Sequence, residues 1–403
     1  MSSSPLHALR HYKELPPVVG LGNMGVALLA RAPYAMLPLG IMTAFTASSG
    51  DLAVGGLAAG IFSIVVALCS PLVGRASDIW GQRRVLLTLV PLNSAALLGL
   101  FWAASTGTTG VPLWLLCAGA GATVIPVGSF TRARWVWSAP HARVLNAAFS
   151  YESTADELIF VLGPALVGVA SSLAAPSAPL FLAFALMLTA GTLFAVTSPK
   201  EAPPVDRDVD KRPNIGRVLW AALPASVALI GVGAFFGATQ AGTTARADLL
   251  GSGSQAGLVY AVMGLGSALA ALFVVVLPER FRLPWRFIFF STGTALSMLL
   301  VANLTTLPST TWALALSGLF VGPTMVTAFS AAQELAPTGG IAVAMTLMQS
   351  SVTIGVSLGS ALGGAIAEAG GAGPAYLLAA ASSVLAGIVG IVLLLPHYAA
   401  RNS

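Results

Sequence analysis

The stretch 149-FSYESTADELIFVLGP-164 sets three carboxylates, Glu152, Asp156 and Glu157, within six residues and runs straight into an uncharged Leu-Ile-Phe-Val-Leu. Acids in such a place suit ion pairing and proton exchange rather than solvation. On a helix Glu152 and Asp156 are i and i+4 and share a face. Gly163 continues that face about three turns on, while Glu157 points about 100° away from Asp156. Arg31, also set in an apolar run, is the candidate counter-ion. Other chemistries find no support. His7, His11, His141 and His397 fall in terminal or loop segments without metal-ligand spacing. Cys69 and Cys117 sit in apolar segments and read as small core hydrophobes. No glycine-rich phosphate loop is present, so ATP is not the expected energy source. The expectation is a protein that is not an enzyme and holds neither a metal nor a bound cofactor.

The elements that must carry these acids follow from composition. The 403 residues are 56% hydrophobic and 8% charged, with mean hydropathy +0.87. A soluble protein is about a quarter charged, so this is a polytopic membrane chain. About 20 apolar residues cross a bilayer core. That length predicts twelve helices, over 17–47, 51–72, 85–105, 111–131, 143–172, 176–198, 217–243, 254–277, 286–306, 309–332, 340–367 and 373–395. The first apolar run is too long for a cleavable signal. The polar, proline-containing 199-PKEAPPVDRDVDKRPNIGR-217 reads as a linker. The expected organisation is a cytoplasmic segment 1–16, a six-helix half 17–198, a linker 199–216, a second six-helix half 217–395 and a tail 396–403.

With the N-terminus in the cytoplasm, seventeen of the 19 Lys and Arg fall in cytoplasmic segments, leaving Arg31 and Arg246. That bias orients the chain with both termini in the cytoplasm. It also accounts for the pI near 9.6 without a nucleic-acid partner. Trp102, Trp114, Trp135, Trp137, Trp220, Trp285 and Trp312 fall near span ends, as interfacial aromatics do. An internal repeat supports two halves. At an offset of 197, Pro126 falls on Pro323, Ala139-Pro140 on Ala336-Pro337, Glu152-Ser153 on Gln349-Ser350, and Asp156 on Thr353. One half would then supply ionisable groups and the other neutral hydrogen bonds.

The loop after the second helix, 74-GRASDIWGQRRVLL-87, resembles the signature of the major facilitator superfamily, with Gly74, Asp78, Gly81, Arg83 and Leu86 on its fixed positions. The resemblance extends over the whole chain. It implies two six-helix halves around a central cavity, working by alternating access. It further implies that Asp78 faces the N-terminus of a helix in the other half, where negative charge meets a positive dipole. Gly74, Asp78, Gly81 and Arg83 would then form a conformational latch. Gln82 departs from the pattern, since a base stands there in many members and pairs with an acid on helix 4. Here that end carries Arg132 and Arg134, so this bridge is not carried over. The second-half counterpart, 278-PERFRLPWR-286, lacks the glycines and the aspartate, which makes the latch one-sided. Gly163-Pro164 and Gly168 match part of a helix 5 pattern of proton-coupled exporters and mark a kink. Exporters often carry an arginine inside helix 4, and 113-LWLLCAGAGATVIPVGSF-130 has none.

Depth then pairs the charges. At about 1.5 Å per residue, Glu152 lies roughly 13 Å and Asp156 roughly 20 Å into helix 5, and Arg31 roughly 21 Å into helix 1. Those two helices are neighbours in the family's fold, so Arg31 is expected to pair with Asp156 or Glu152. Acids at such depth cost at least about 2.5–3.5 kcal/mol each. One arginine cannot neutralise three, which points to a carboxyl that gains and loses a proton, with Asp156 favoured over Glu152 and Glu157 last. A structural cluster pinning helices 1 and 5, or a water funnel, are the plainer readings. Tyr34, Gln240, Thr346 and Gln349 are candidate cavity residues. Gly355, Gly359 and Gly363 have the spacing of close helix packing, at a sliding interface in one reading. The expected function is secondary active transport of a small organic solute, most simply proton-antiport efflux by a monomer in the cytoplasmic membrane. Proton-symport uptake is the alternative, and a non-transporting sensor or assembly protein is a different class. The net negative cluster favours a neutral or cationic solute.

Overall fold

The computed structural model describes residues 9–199, 213–252, 255–278, 280–337 and 339–394. The body of the expected linker, the tail, His7, His397, Lys200, Arg207, Lys211, Arg212 and Arg401 lie outside the described residues. Twelve helices are long and apolar enough to span a membrane: α1 (Leu21–Ser49), α2 (Val54–Trp80), α3 (Gln82–Ser105), α4 (Val111–Ser138), α5 (Ala142–Leu173), α6 (Ala178–Val196), α7 (Ile215–Ala247), α8 (Ala256–Val276), α9 (Leu283–Asn303), α10 (Leu307–Leu335), α11 (Ile341–Gly370) and α12 (Ala372–Val392). Among the described residues there is no strand. Each expected span meets one helix. The largest differences are at α2 and α4, whose charged ends stay helical beyond the apolar run. Just past the charged end of α2, Gly81, with φ +84°, makes the turn into α3.

Two features depart from the expected pattern. The first helix does not start at 17, because Gly20, at φ +84°, separates a short helix over Leu15–Val19 from α1. And α4 is interrupted between Val111–Ala122 and Val127–Ser138. Pro126 lacks an N–H and disfavours a helical residue before it. Asn93 of α3 covers the break, its Nδ2 donating to Ala120 O at 3.0 Å and to Thr123 Oγ1 at 3.1 Å. The repeat mate Pro323 sits inside an unbroken α10, so the two halves differ here.

Glycines bring α7 and α11 to backbone distance. A Cβ at Gly355 would lie 2.3 Å from Ile230 O and one at Gly359 2.2 Å from Ala234 O, while Gly233 and Gly237 make the reciprocal approach. This seam joins α7 to α11 within one half, so it is not a sliding interface between halves.

Spans that alternate in direction place the α2–α3, α4–α5, α8–α9 and α10–α11 turns on one face, which we call the basic face for Arg83, Arg143 and Arg282. The cross-half hydrogen bonds among the described residues all lie on this side or at mid-span. They link Asp78 to Ala342 and Val343, Ser129 to Met345, Thr154 to Ala268, Glu157 to Ser267, and Tyr34 to Thr353. A further one comes from the segment before α1, a 3-10 helix over Leu9–Glu14 followed by the Leu15–Val19 helix. Its Tyr12 hydroxyl donates to Leu272 O of α8, and Leu15 is buried in the core that both halves share. Burial raises the Tyr12 phenol above its usual range, which keeps it a donor. Glu14 meets His11 at 2.7 Å and His141, at the start of α5, at 3.5 Å. The halves are therefore tied together at the basic face.

Candidate functional site

Measured from the observed helix starts at about 1.5 Å per residue, Arg31 and Glu152 both stand roughly 15 Å along their helices and Asp156 roughly 21 Å. Equal depth makes Glu152 the nearer partner. Arg31 Nη2 binds Glu152 Oε2, and Arg31 Nε lies 3.6 Å from Asp156 Oδ1. The expected ion pair is thus present, with both acids. Glu152 has further partners: Thr131 Oγ1 donates to Oε2, and Trp135 Nε1 donates to Oε1 at 2.8 Å. Trp135 is therefore not an interfacial residue, since it is 2% exposed and serves the charge cluster. Trp102, Trp220, Trp285 and Trp312 are exposed at span ends as expected.

Arg31 is not the cluster's only base. Arg132, counted above among the topogenic charges, is 0% exposed, and its Nη2 lies 2.7 Å from Asp156 Oδ2. Its guanidinium also stacks 3.7 Å from the Phe329 ring of α10, in the other half. The helix break explains the error. Apolar residues alone end helix 4 near 131, but the Val127–Ser138 segment continues the span and carries Arg132 inward. Helix 4 thus does hold a buried arginine. Gly128 makes room for the group: a Cβ there would fall 3.1 Å from Asp156 Oδ1, 3.3 Å from Arg132 Nη1 and 3.5 Å from Arg31 Nε. A glycine two residues after a mid-span proline was the available signal. With two guanidiniums against Glu152 and Asp156, the cluster is balanced rather than net negative. A balanced cluster does not favour a cationic solute over an anionic one.

Asp156, 9% exposed, and Arg31 also line a cavity of about 460 Å³, counted with its open mouth. Tyr34, Ser70 and Gln349 add polar groups, and the broken segment Val124–Val127 with Ile159 and Phe160 supplies the apolar wall. The cavity lies between the halves: Gln349, the repeat mate of Glu152, lines it, and Thr353, the mate of Asp156, stands behind the lining Tyr34 with its Oγ1 2.6 Å from Tyr34 Oη. Tyr34 and Gln349 are where the sequence placed them. Thr346 is not: it is buried against Gly74 and bonds Ala342 O. Gln240 is exposed on α7, away from the cavity lining. Gly163 meets α1, where a Cβ would fall 2.8 Å from that of Ala35, and α5 runs on through Pro164 as one helix.

Glu157 stands apart from the cluster. Its Oε1 accepts from Ser267 Oγ of α8 at 2.7 Å, and no cation pairs with it among the described residues. Among those residues no group of His, Cys, Asp and Glu could hold a metal.

At the basic face Asp78 accepts from Ala342 N at 3.3 Å and Val343 N at 3.2 Å, the first turn of α11. Gly74 permits the approach, since a Cβ there would lie 2.4 Å from Thr346 Oγ1 and 2.8 Å from Ala342 O. Arg83, in the first turn of α3, is half-buried. Gln82 and Arg134 form the α3–α4 link in reversed polarity. Arg134 Nε donates to Gln82 Oε1 at 2.7 Å, and its guanidinium lies 4.1 Å from the Phe194 ring.

Twelve spans in two repeated halves, joined at one face over a largely apolar cavity that Arg31, Tyr34, Asp156 and Gln349 make polar at points, are the build of a membrane transport protein. The sequence profile of the Major Facilitator Superfamily matches residues 19–339 and 227–402, and the chain belongs to that family. No curated protein sequence matches it significantly. Among solved structures it is similar to a bacterial homologue of the iron transporter ferroportin in its outward-facing state, at 16% identity and TM-score 0.68, covering 92% of this chain and 98% of that one. It is also similar to the human organic anion transporter MFSD10 (TETRAN), at 15% identity and TM-score 0.64, covering 96% and 100%. A third is the E. coli fucose:proton symporter FucP, at 15% identity and TM-score 0.59, covering 92% and 98%.

Proposed function

We propose that this transporter is a proton-antiporter that expels a small organic solute through the cytoplasmic membrane, working as a monomer with both termini in the cytoplasm. The observation that carries the reading is the double position of Asp156. It belongs at once to the buried Arg31–Arg132 cluster and to the wall of the cavity between the halves. A proton on Asp156 releases Arg132, whose ion pair is with that carboxyl, while Arg31 stays on Glu152, and loss of the proton restores the pair, so solute and proton report to one carboxyl. Glu152, with partners on both oxygens, acts as the fixed anchor of Arg31. Tyr34 and Gln349 offer the solute neutral hydrogen bonds. The basic face is then the cytoplasmic one, and its closure corresponds to an outward-facing state, the state of the ferroportin homologue that shares the fold. Gly74, Asp78, Gly81 and Arg83 form the latch that holds it. Export is favoured over uptake by the buried Arg132 in α4 together with Gly163-Pro164 and Gly168 in α5, the combination that exporters of this family resemble.

The test is flux in proteoliposomes under an imposed pH gradient across a panel of labelled organic solutes. An outward proton-driven exchange that Asp156→Asn abolishes is the expected result. Solute movement down the proton gradient would replace antiport with symport, and gradient-driven flux that survives Asp156→Asn would sink the assignment.

A further inference from the structure

Glu157 differs from its two neighbours in direction and in surroundings. It is 4% exposed, and the face it occupies meets α8, a helix of the other half. Ser267, its partner, is held rigidly: a Cβ at Gly322 would fall 2.2 Å from Ser267 O, and one at Gly318 2.9 Å from Ser267 N, so α8 and α10 touch backbone to backbone around it. One turn toward the basic face, Thr154 Oγ1 donates to Ala268 O at 3.0 Å. These two contacts join α5 to α8. The titratable groups facing Glu157 are Asp156 on its own helix and Tyr260 on α8, and neither is a cation. Arg31 on α1 and Arg132 on α4 are engaged with Glu152 and Asp156. A carboxylate without a counter-ion in such a place costs several kcal/mol, whereas a neutral carboxylic acid hydrogen-bonded to a hydroxyl costs far less.

We infer that Glu157 is a proton-operated clasp between the halves. As the neutral acid it lets α5 pack on α8 and keeps the basic face shut. When the proton passes to water admitted at the parting interface, the bare carboxylate holds the two helices apart. This rests on the proton-coupled reading above and deepens it. Asp156 governs what the cavity holds, and Glu157 governs which side is closed.

The experiment needs no solute. Spin labels on Ala142→Cys and Phe273→Cys, both exposed near the basic ends of α5 and α8, report their separation in nanodiscs by double electron–electron resonance, with Cys69 and Cys117 replaced. The short distance should dominate at acid pH and give way to a longer one at alkaline pH. Glu157→Gln, a permanent neutral mimic, should keep the short distance throughout, with a closed-to-open ratio at alkaline pH at least about tenfold that of the parent, a modest share of what a buried charge can bias. Asp156→Asn should still open at alkaline pH, because Glu157 stays in place, even though the pH at which it opens need not match the parent's. A parent insensitive to pH, or a Glu157→Gln protein that still opens, overturns the clasp. A response lost in Asp156→Asn and kept in Glu157→Gln moves the proton to Asp156, which overturns the clasp and leaves antiport standing. Failure of antiport itself is read separately, as absence of gradient-driven flux in the unaltered protein.

Discussion

Arg132→Met tests the assembly of the charge cluster most directly. The substitution removes a guanidinium 2.7 Å from Asp156 Oδ2 and 3.7 Å from the Phe329 ring, at a position with no exposure to solvent. Asp156 would keep only Arg31 Nε at 3.6 Å, beyond hydrogen-bond length. Breaking one side of a buried ion pair costs about 3–5 kcal/mol, and a desolvated cation–π contact adds about 1–2 kcal/mol. The single variant should therefore lose about 4–7 kcal/mol, a large part of most proteins' stability. Asp156→Asn in the same protein removes the stranded charge, so the double variant should fall short of the summed losses by about 2–3 kcal/mol. Unfolding in mixed micelles with rising dodecyl sulfate, followed by the fluorescence of the eight tryptophans, gives the three differences. Losses that add to within about 0.5 kcal/mol would refute the pairing of Arg132 with Asp156.

Other outcomes follow from single contacts. Gly74→Val drives a side chain into Thr346 and Ala342 O, so it should shift the protein toward the state open at the basic face, seen as a longer α2–α11 distance by spin labels. Asp78→Asn should move the same distance in the same direction by a smaller amount, about 1–2 kcal/mol in the conformational equilibrium, since it loses the charge at the α11 N-terminus and keeps the shape. Gly128→Leu should abolish gradient-driven flux while leaving the protein inserted, because its side chain needs the space held by Asp156 and both guanidiniums. Tyr12→Phe, which removes the hydroxyl that bonds Leu272 O, should raise the rate of thiol labelling at the basic end of α8; an unchanged rate would show that the segment before α1 is a bystander.

Twelve spans, two halves and the Asp78 contact with α11 were legible because each depends on local pattern: apolar length, charge bias and one loop motif. The Arg31 pair was legible too, since depth along a helix is simple arithmetic. Arg132 was not. A hydropathy reading ends a helix where charge begins, and only the break at Pro126, with its Asn93 support, brings the second segment and its arginine into the cluster. Glu157 was ranked last because it points about 100° away from the Glu152–Asp156 face, and sequence alone does not name the helix it meets there. The second guanidinium settles Glu152 and Asp156 and leaves Glu157 facing α8 alone. Thr346 and Gln240 show the opposite limit, since helical phase alone does not say which neighbour a face meets.

The glycine seam couples α11 to α7. From Val352 to Gly363 α11 meets α7 at backbone distance, and its N-terminus carries the Asp78 contact to the opposite half. A rigid swing of α11 that frees Asp78 therefore carries α7 with it, so a force applied at one turn of the basic face reaches the far ends of both helices.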